Sequence, residues 1–238
     1  MDRRLFLLIA AASGMTVTQA YGQKIGQVLT QGLPGGLSKT QAEGGLREAL
    51  STGAVNAVLR VGKVDGYWRD DKIKIPLPGV LGSTQRTLKR IGLSGPLDDL
   101  QHKVNGAAET AAPQARDMFV GAIRAMTVED VVGLLRGGDT AGTNYLKEKT
   151  TPKLTTLFRP PMADALNSTG AMQSLDRVVT SNKLGGSMGQ SPSATLTDFA
   201  VGKALDGLFF YVGEEERAIR TNPAKRTTDI LKRTFGGL

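Results

Sequence analysis

Few residues in this sequence could carry covalent or metal chemistry. The 238 residues include no cysteine and one histidine, His102. Without cysteine there is no disulfide, thiolate nucleophile, thiolate metal ligand, Fe–S cluster or lipidated cysteine anchor. A single histidine excludes a multi-histidine metal site within one chain. Any Ser/His/Asp triad would need His102 as its base. In Leu100-Gln101-His102-Lys103-Val104 it points away from the apolar stripe that holds Leu100 and Val104, and it reads as a solvated side chain. Walker and H-E-x-x-H patterns are absent. Gly185-Gly186-Ser187-Met188-Gly189 is glycine-rich, but no strand precedes it and no Gly-Lys-Thr follows. Asp65, Asp70 and Asp71 lack the spacing of a calcium loop. No metal and no cofactor are expected.

Carboxylates remain as the chemical groups to place. Glu214-Glu215-Glu216 lies near the end of the most hydrophobic helical segment, and Asp206, Phe210 and Glu214 follow one another at four-residue spacing on one face. Asp206 stands among Leu205, Leu208 and Phe209, so partial burial and a cationic or backbone donor are expected for it. Arg220, Lys225 and Arg226 surround Asn222-Pro223, a helix start whose free N–H groups could hold an anion or a carboxylate of the chain itself. Asp206, Glu214, Arg220 and Arg226 therefore form a candidate polar cluster. It reads either as a ligand site or as a structural salt bridge, with Asp206, Glu214 or Asp139 as the acid. Leu205, Leu208, Phe209 and Val212 form a candidate apolar groove for a lipid-like ligand or a partner helix.

The elements that must position these groups read as helices. Several segments carry apolar residues at three- and four-residue spacing, and none alternates with period two. Ser38 and Gln41 make a capping box before the stripe Ala42, Leu46, Ala49/Leu50, Gly53, Ala57/Val58 and Val61. Ile73–Pro78 is the one strand-like piece, kept extended and out of any central strand by its two prolines. Helices are expected from Pro78 or Leu81 to Ile91, from Pro96 to Ala111, over Met118–Met126, and over Val131–Arg136 after a Thr127 cap. Asp139 is expected to cap Thr140–Lys149. Thr151 and Pro152 should start Lys153–Phe158, and Pro160-Pro161 should break or kink the chain before Met162–Asn167. Beyond these lie a helix over Met172–Thr180, a Gly/Ser-rich loop at Asn182–Ser193, a Thr197-capped helix to Thr221, and a short last helix near Thr227–Phe235. The expected class is all-α, a single multi-helix bundle over 38–238 behind a lead segment at 21–37.

Residues Met1–Ala20 carry the three parts of an export signal: Arg3-Arg4, the apolar run Leu5–Ala12, and small residues in Thr18-Gln19-Ala20. The run is shorter than the roughly 20 residues that span a bilayer, which favours a cleaved signal over an anchor. Arg3-Arg4-Leu5-Phe6-Leu7 is similar to a twin-arginine core, with Asp2 where Ser or Thr is usual, so both the twin-arginine and the ordinary secretory route stay open. The net charge is +8. Short basic clusters occur at Arg86/Lys89/Arg90 and Arg217/Arg220/Lys225/Arg226. Interleaved aromatics, which single-stranded nucleic acid would need, are absent.

A series of short motifs runs from Asp65-Gly66-Tyr67-Trp68 through Ile75-Pro76-Leu77-Pro78, Asn105-Gly106-Ala107-Ala108-Glu109 and Ala125-Met126-Thr127. It continues through Gly138-Asp139-Thr140-Ala141, Thr143-Asn144-Tyr145, Leu157-Phe158-Arg159-Pro160 and Ala204-Leu205-Asp206-Gly207-Leu208-Phe209. Glu214-Glu215-Glu216, Ile219-Arg220 and Asn222-Pro223-Ala224-Lys225-Arg226-Thr227-Thr228 complete it. On these motifs the chain, from about Gly44 to Phe235, resembles the DUF4197 family of bacterial proteins of unknown function. Gly-rich Leu184–Gly189 departs from the pattern. The resemblance implies an exported, mainly helical protein of Gram-negative bacteria and supplies no activity, cofactor or catalytic residue.

The expected function is a non-enzymatic binding or scaffold protein of the cell envelope, holding an apolar ligand or partner helix, with no nucleic-acid partner and no transmembrane helix in the mature chain. Two alternatives stand beside it: a basic protein that binds anionic envelope polymers or lipid headgroups, and a hydrolase using Asp206, Glu214 or Glu215. N-terminal sequencing of protein from the periplasmic fraction should begin at Tyr21; an intact Met1 in the cytosol would reject the export reading.

Overall fold

The computed structural model describes residues 38–168 and 192–236. They form eight α-helices: α1 Lys39–Val61, α2 Gly79–Lys89, α3 Gly95–Ala111, α4 Ala115–Arg124, α5 Val128–Leu135, α6 Ala141–Asn167, α7 Pro192–Thr221 and α8 Asp229–Phe235. Two 3-10 turns, Ala112–Gln114 and Pro223–Lys225, join neighbours, and no strand occurs among the described residues. The all-α class is the one expected. The export signal at 1–20, the lead at 21–37, the helix expected at 172–180 and residues 182–191 of the Gly/Ser-rich loop lie outside the described residues.

α1 begins where its spacing predicts. Gln41 N–H donates to Ser38 Oγ at 3.2 Å, and Ser38 N–H donates to Gln41 Oε1 at 3.0 Å. Its stripe from Ala42 to Val61 is buried. α7 is the central rod, packed most extensively on α6 and then on α1. It runs antiparallel to both, because Gly53 meets Glu215 while Arg60 meets Tyr211, and Gly142 meets Glu216 while Arg159 meets Asp198. One hydrophobic cluster joins these helices with α3, α4, α5 and α8.

Two long helices depart from expectation. α6 runs unbroken through Pro152, Pro160 and Pro161. Its buried residues Leu146, Thr150, Leu154, Phe158, Met162 and Leu166 recur every fourth position, so continuity of this stripe decides the element. The prolines lie on the outer side, exposed at 152 and 160 and half-exposed at 161, where carbonyls they leave without a donor can meet water. α7 starts at Pro192 rather than after Thr197, and the Thr197 hydroxyl donates to Ser193 O at 2.9 Å inside the helix.

Between α1 and α2 a series of turns leads into an extended stretch over 74–78 that belongs to no sheet and buries Ile75 and Leu77. Side chains of α3 serve as its backbone partners. Ile75 N–H donates to Asn105 Oδ1 at 2.8 Å, and Asn105 Nδ2 donates back to Ile75 O at 3.0 Å, as a neighbouring strand would. One turn further along α3, Glu109 accepts the N–H groups of Asp65, Tyr67 and Trp68 at 3.0, 3.0 and 3.1 Å. This carboxylate holds the turn that turns Tyr67 into the core, where its hydroxyl donates to Ala204 O of α7 at 2.7 Å. Gly207 makes room for it: a Cβ there would lie 2.8 Å from Tyr67 Cε1 and 2.9 Å from Ile73 Cβ.

Burial, and after it the Glu109 charge, pushes the Tyr67 phenol far above its ordinary value. A group whose pKa is raised by folding stabilises the fold fully below its unfolded value of roughly 10, and that stability is lost as pH rises beyond it. In a spectrophotometric titration Tyr67 should ionise only together with cooperative loss of helical circular dichroism. Its ionisation in the folded protein near the ordinary value would contradict this placement.

Candidate functional site

The four residues of the sequence-derived polar cluster do not converge. Asp206 is exposed rather than partly buried, its side chain 57% accessible, and it pairs with Lys203 at 3.1 Å. Glu214 pairs with Arg217 on the surface. Arg226 turns back on its own chain and donates to the carbonyls of Ile219, at 3.0 Å, and Arg220, at 2.6 Å. Only Arg220 is buried, and its acid is neither Asp206, Glu214 nor Asp139 but Glu216.

Glu216 and Arg220 are 4% and 6% accessible. Arg220 donates through Nε and Nη2 to Glu216 Oε1 at 3.0 and 2.9 Å, and Nη2 also reaches Leu134 O of α5 at 2.9 Å. The same carboxylate accepts Gly142 N–H at 2.9 Å, Thr143 N–H at 2.7 Å and the Thr143 hydroxyl at 2.7 Å. It therefore caps the first turn of α6 from another helix, where N–H groups lack intrahelical acceptors and negative charge is favoured. The expected Asp139 cap is not made: Thr140 is the N-cap residue and no side chain of its own bonds the helix start. Gly142 lets the carboxylate in, since a Cβ there would fall 2.4 Å from a Leu50 methyl and 3.1 Å from Glu216 Oε1.

The candidate apolar groove is filled. Leu205, Leu208, Phe209 and Val212 are all buried in the core. Leu205 and Phe209 border a small cleft of about 270 Å³ between α6 and α7, with Asp206 on its rim. Across α7 from Asp206, the Tyr211 hydroxyl donates to Asp70 and accepts from Arg60 Nη2 at 3.0 Å. Desolvation raises both acids. For Asp70 the Tyr211 hydroxyl, the Lys72 N–H and Arg60 outweigh it and hold the carboxyl low, whereas Tyr211 is pushed up further by Asp70. His102 is exposed, as expected, edge-on to Trp68 and 3.8 Å from Asp65.

A larger groove of about 690 Å³ opens between α4, the start of α5 and α6. Met118, Gly121 and Ala122 on α4, with Ala125 just past its end, line one wall at helical spacing, beside the face that buries Ala115, Phe119 and Ile123. Tyr145, Lys149 and Lys153 line the other wall from α6, with Thr127 and Asp130 at the α5 end. Asp130 is engaged there, accepting Thr127 N–H at 2.9 Å in the α5 capping box. Burial, then the Asp130 charge, raises the Tyr145 phenol, so it remains a hydrogen-bond donor. Lys153 forms no ion pair among the described residues. No three His, Asp or Glu residues are grouped closely enough among the described residues to hold a metal ion. No described helix is long and apolar enough to cross a membrane.

Sequence reasoning passed over Glu216 and this groove, though both left a signal. Glu216 continues the inward stripe of Leu205, Leu208, Phe209 and Val212, and it precedes Arg220 by four residues. The groove is written as the small residues Gly121, Ala122 and Ala125 on the helix face beside buried Phe119 and Ile123.

The model of a family described as proteins of unknown function, DUF4197, matches residues 36–236, and the chain belongs to that family. No curated protein and no solved structure matches it.

Removing one partner of a buried ion pair leaves the other charged and unsatisfied. Glu216→Gln should therefore lower the urea-derived unfolding free energy by about 3–5 kcal/mol. Asp206→Asn, at an exposed pair, should change it by less than about 1 kcal/mol. Equal effects of the two substitutions would contradict these assignments.

Proposed function

We propose that this DUF4197 protein is a binding protein rather than a catalyst, and that its ligand is an amphipathic molecule seated in the groove between α4 and α6. The observation that carries the reading is the groove itself. Its volume of about 690 Å³ lies within the roughly 300–1,000 Å³ of small-molecule sites. Its α4 wall of Met118, Gly121, Ala122 and Ala125 offers an apolar bed without bulky projections. Its α6 wall carries the Lys153 ammonium, which forms no ion pair among the described residues, beside Tyr145, whose hydroxyl donates to Asp130, and Lys149, which pairs with Glu148. An aliphatic chain along α4 with an acidic head toward α6 matches that division. The buried carboxylates Glu109 and Glu216 do not compete for this role, because their oxygens are taken by backbone N–H groups, a hydroxyl and Arg220. The same reading places the protein in the periplasm, supported by Arg3-Arg4 and the apolar run Leu5–Ala12.

Gly121 provides the test. A Cβ built at Gly121 meets nothing within 4 Å, so a larger side chain fits without backbone strain and projects into the groove. Glycine in a helix interior is also unfavourable relative to other residues by up to about 1 kcal/mol. Gly121→Leu should keep or raise the melting temperature while weakening binding of 11-(dansylamino)undecanoic acid at least about tenfold, or 1.4 kcal/mol, in a fluorescence titration. Unchanged affinity in the variant, or no binding by the wild type, would overturn the proposal.

A further inference from the structure

The end of α2 presents a feature that neither the core nor the groove explains. Ile91 and Leu93 are 64% and 63% accessible, among the most exposed large apolar side chains in the described structure. They flank Gly92, whose φ of +74° is the left-handed conformation that glycine adopts most readily. Hydrogen bonds from Ile91 N–H and Leu93 N–H to Leu88 O, at 3.1 and 3.0 Å, close the turn and hold both side chains outward. The aliphatic pair is thus held in a formed turn.

Cations immediately precede it. Arg86, Lys89 and Arg90 are exposed on the last turn of α2, and none forms an ion pair among the described residues. The nearest acids in sequence are otherwise engaged. Asp98 accepts from Ser94 Oγ at 2.6 Å and from Gln85 Nε2 at 2.7 Å, and Asp99 pairs with Lys103 at 3.3 Å. α2 itself packs chiefly on α3 and lies at the edge of the bundle.

From this geometry we infer that the turn at Arg90–Leu93 docks the protein on an anionic phospholipid bilayer. Ile91 and Leu93 enter the headgroup–acyl boundary, and Arg86, Lys89 and Arg90 contact the phosphates. Two features of the turn select this occupant over a soluble polyanion or a protein groove. The aliphatic tip has no use in binding a polyanion, and the three cations beside it, none ion-paired among the described residues although the Lys89 charge is felt at Asp98, match the negative surface of an anionic leaflet. The contact is reversible and peripheral, since two side chains and three charges fall far short of a spanning segment. It is independent of the α4–α6 groove and of what that groove binds.

The test is co-sedimentation of the full chain with vesicles of phosphatidylcholine containing phosphatidylglycerol, compared with phosphatidylcholine alone. The variants share every residue outside the tip, so contributions from the rest of the chain cancel. Wild type should bind the anionic vesicles, more weakly as salt rises. Arg86→Gln/Lys89→Gln/Arg90→Gln should weaken that binding about 100-fold, each cation near an anionic surface contributing about fivefold. Ile91→Ser/Leu93→Ser, which keeps every charge, should weaken it at least about tenfold. All the substituted side chains are exposed, so melting temperatures should not fall. Anionic-vesicle binding that survives the serine substitutions would overturn the inference in favour of charge attraction alone. Wild-type binding that is absent, or equal on neutral vesicles, would overturn it outright.

Discussion

The arrangement of the long helices depends on one carboxylate. Glu216 sits in the packed interface of α7, α6 and α1, where an uncompensated charge would cost several kcal/mol. Every contact it makes fixes something else. Its bonds to Gly142 and Thr143 set where α6 begins, its ion pair orders Arg220, and Arg220 in turn holds the end of α5 through Leu134 O. Arg220 O then receives Arg226 and folds the chain back toward α8. Glu109 repeats the device at smaller scale, since one carboxylate of α3 organises a turn whose tyrosine reaches α7. Fully satisfied buried networks of this kind rigidify a fold, whereas partly satisfied ones weaken it.

This arrangement bears on function. Residues that stand out in the sequence as chemical groups, the acidic run Glu214-Glu215-Glu216 and the basic residues after it, are largely taken up in holding helices together or in surface pairs. Asn105 likewise stands in for a missing strand. The largest of the clefts described above lies on the outer face of the bundle, between α4 and the tyrosine and two lysines of α6. A family without known function whose most recognisable motifs are structural gives no catalytic signature by which to assign it.

Local physics was legible in the sequence wherever it was local. The Ser38–Gln41 and Thr127 caps, the stripe of α1, the helix from Pro96 and the all-helical class follow from spacing alone. Errors came where tertiary packing outweighed a local rule. Proline suggests breaks at 152 and 160, yet a buried stripe at four-residue spacing carries α6 through them. Asp139 precedes a helix and reads as its cap, but the cap comes from a residue more than seventy positions later. Asp206 has apolar neighbours in sequence, yet it lies one step around α7 from Leu205 and faces water. The partners of Asn105 and Glu109 are backbone groups, which carry no sequence signal.

Amide hydrogen exchange tests this account most directly. First-turn N–H groups of a helix ordinarily lack acceptors and exchange fast. If Glu216 caps α6 from within the core, the amides of Gly142 and Thr143 should exchange as slowly as those of Leu154 and Phe158 in the middle of the same helix, opening only with global unfolding. Exchange of Gly142 and Thr143 at the rate of exposed first-turn amides, with mid-helix amides protected, would contradict it.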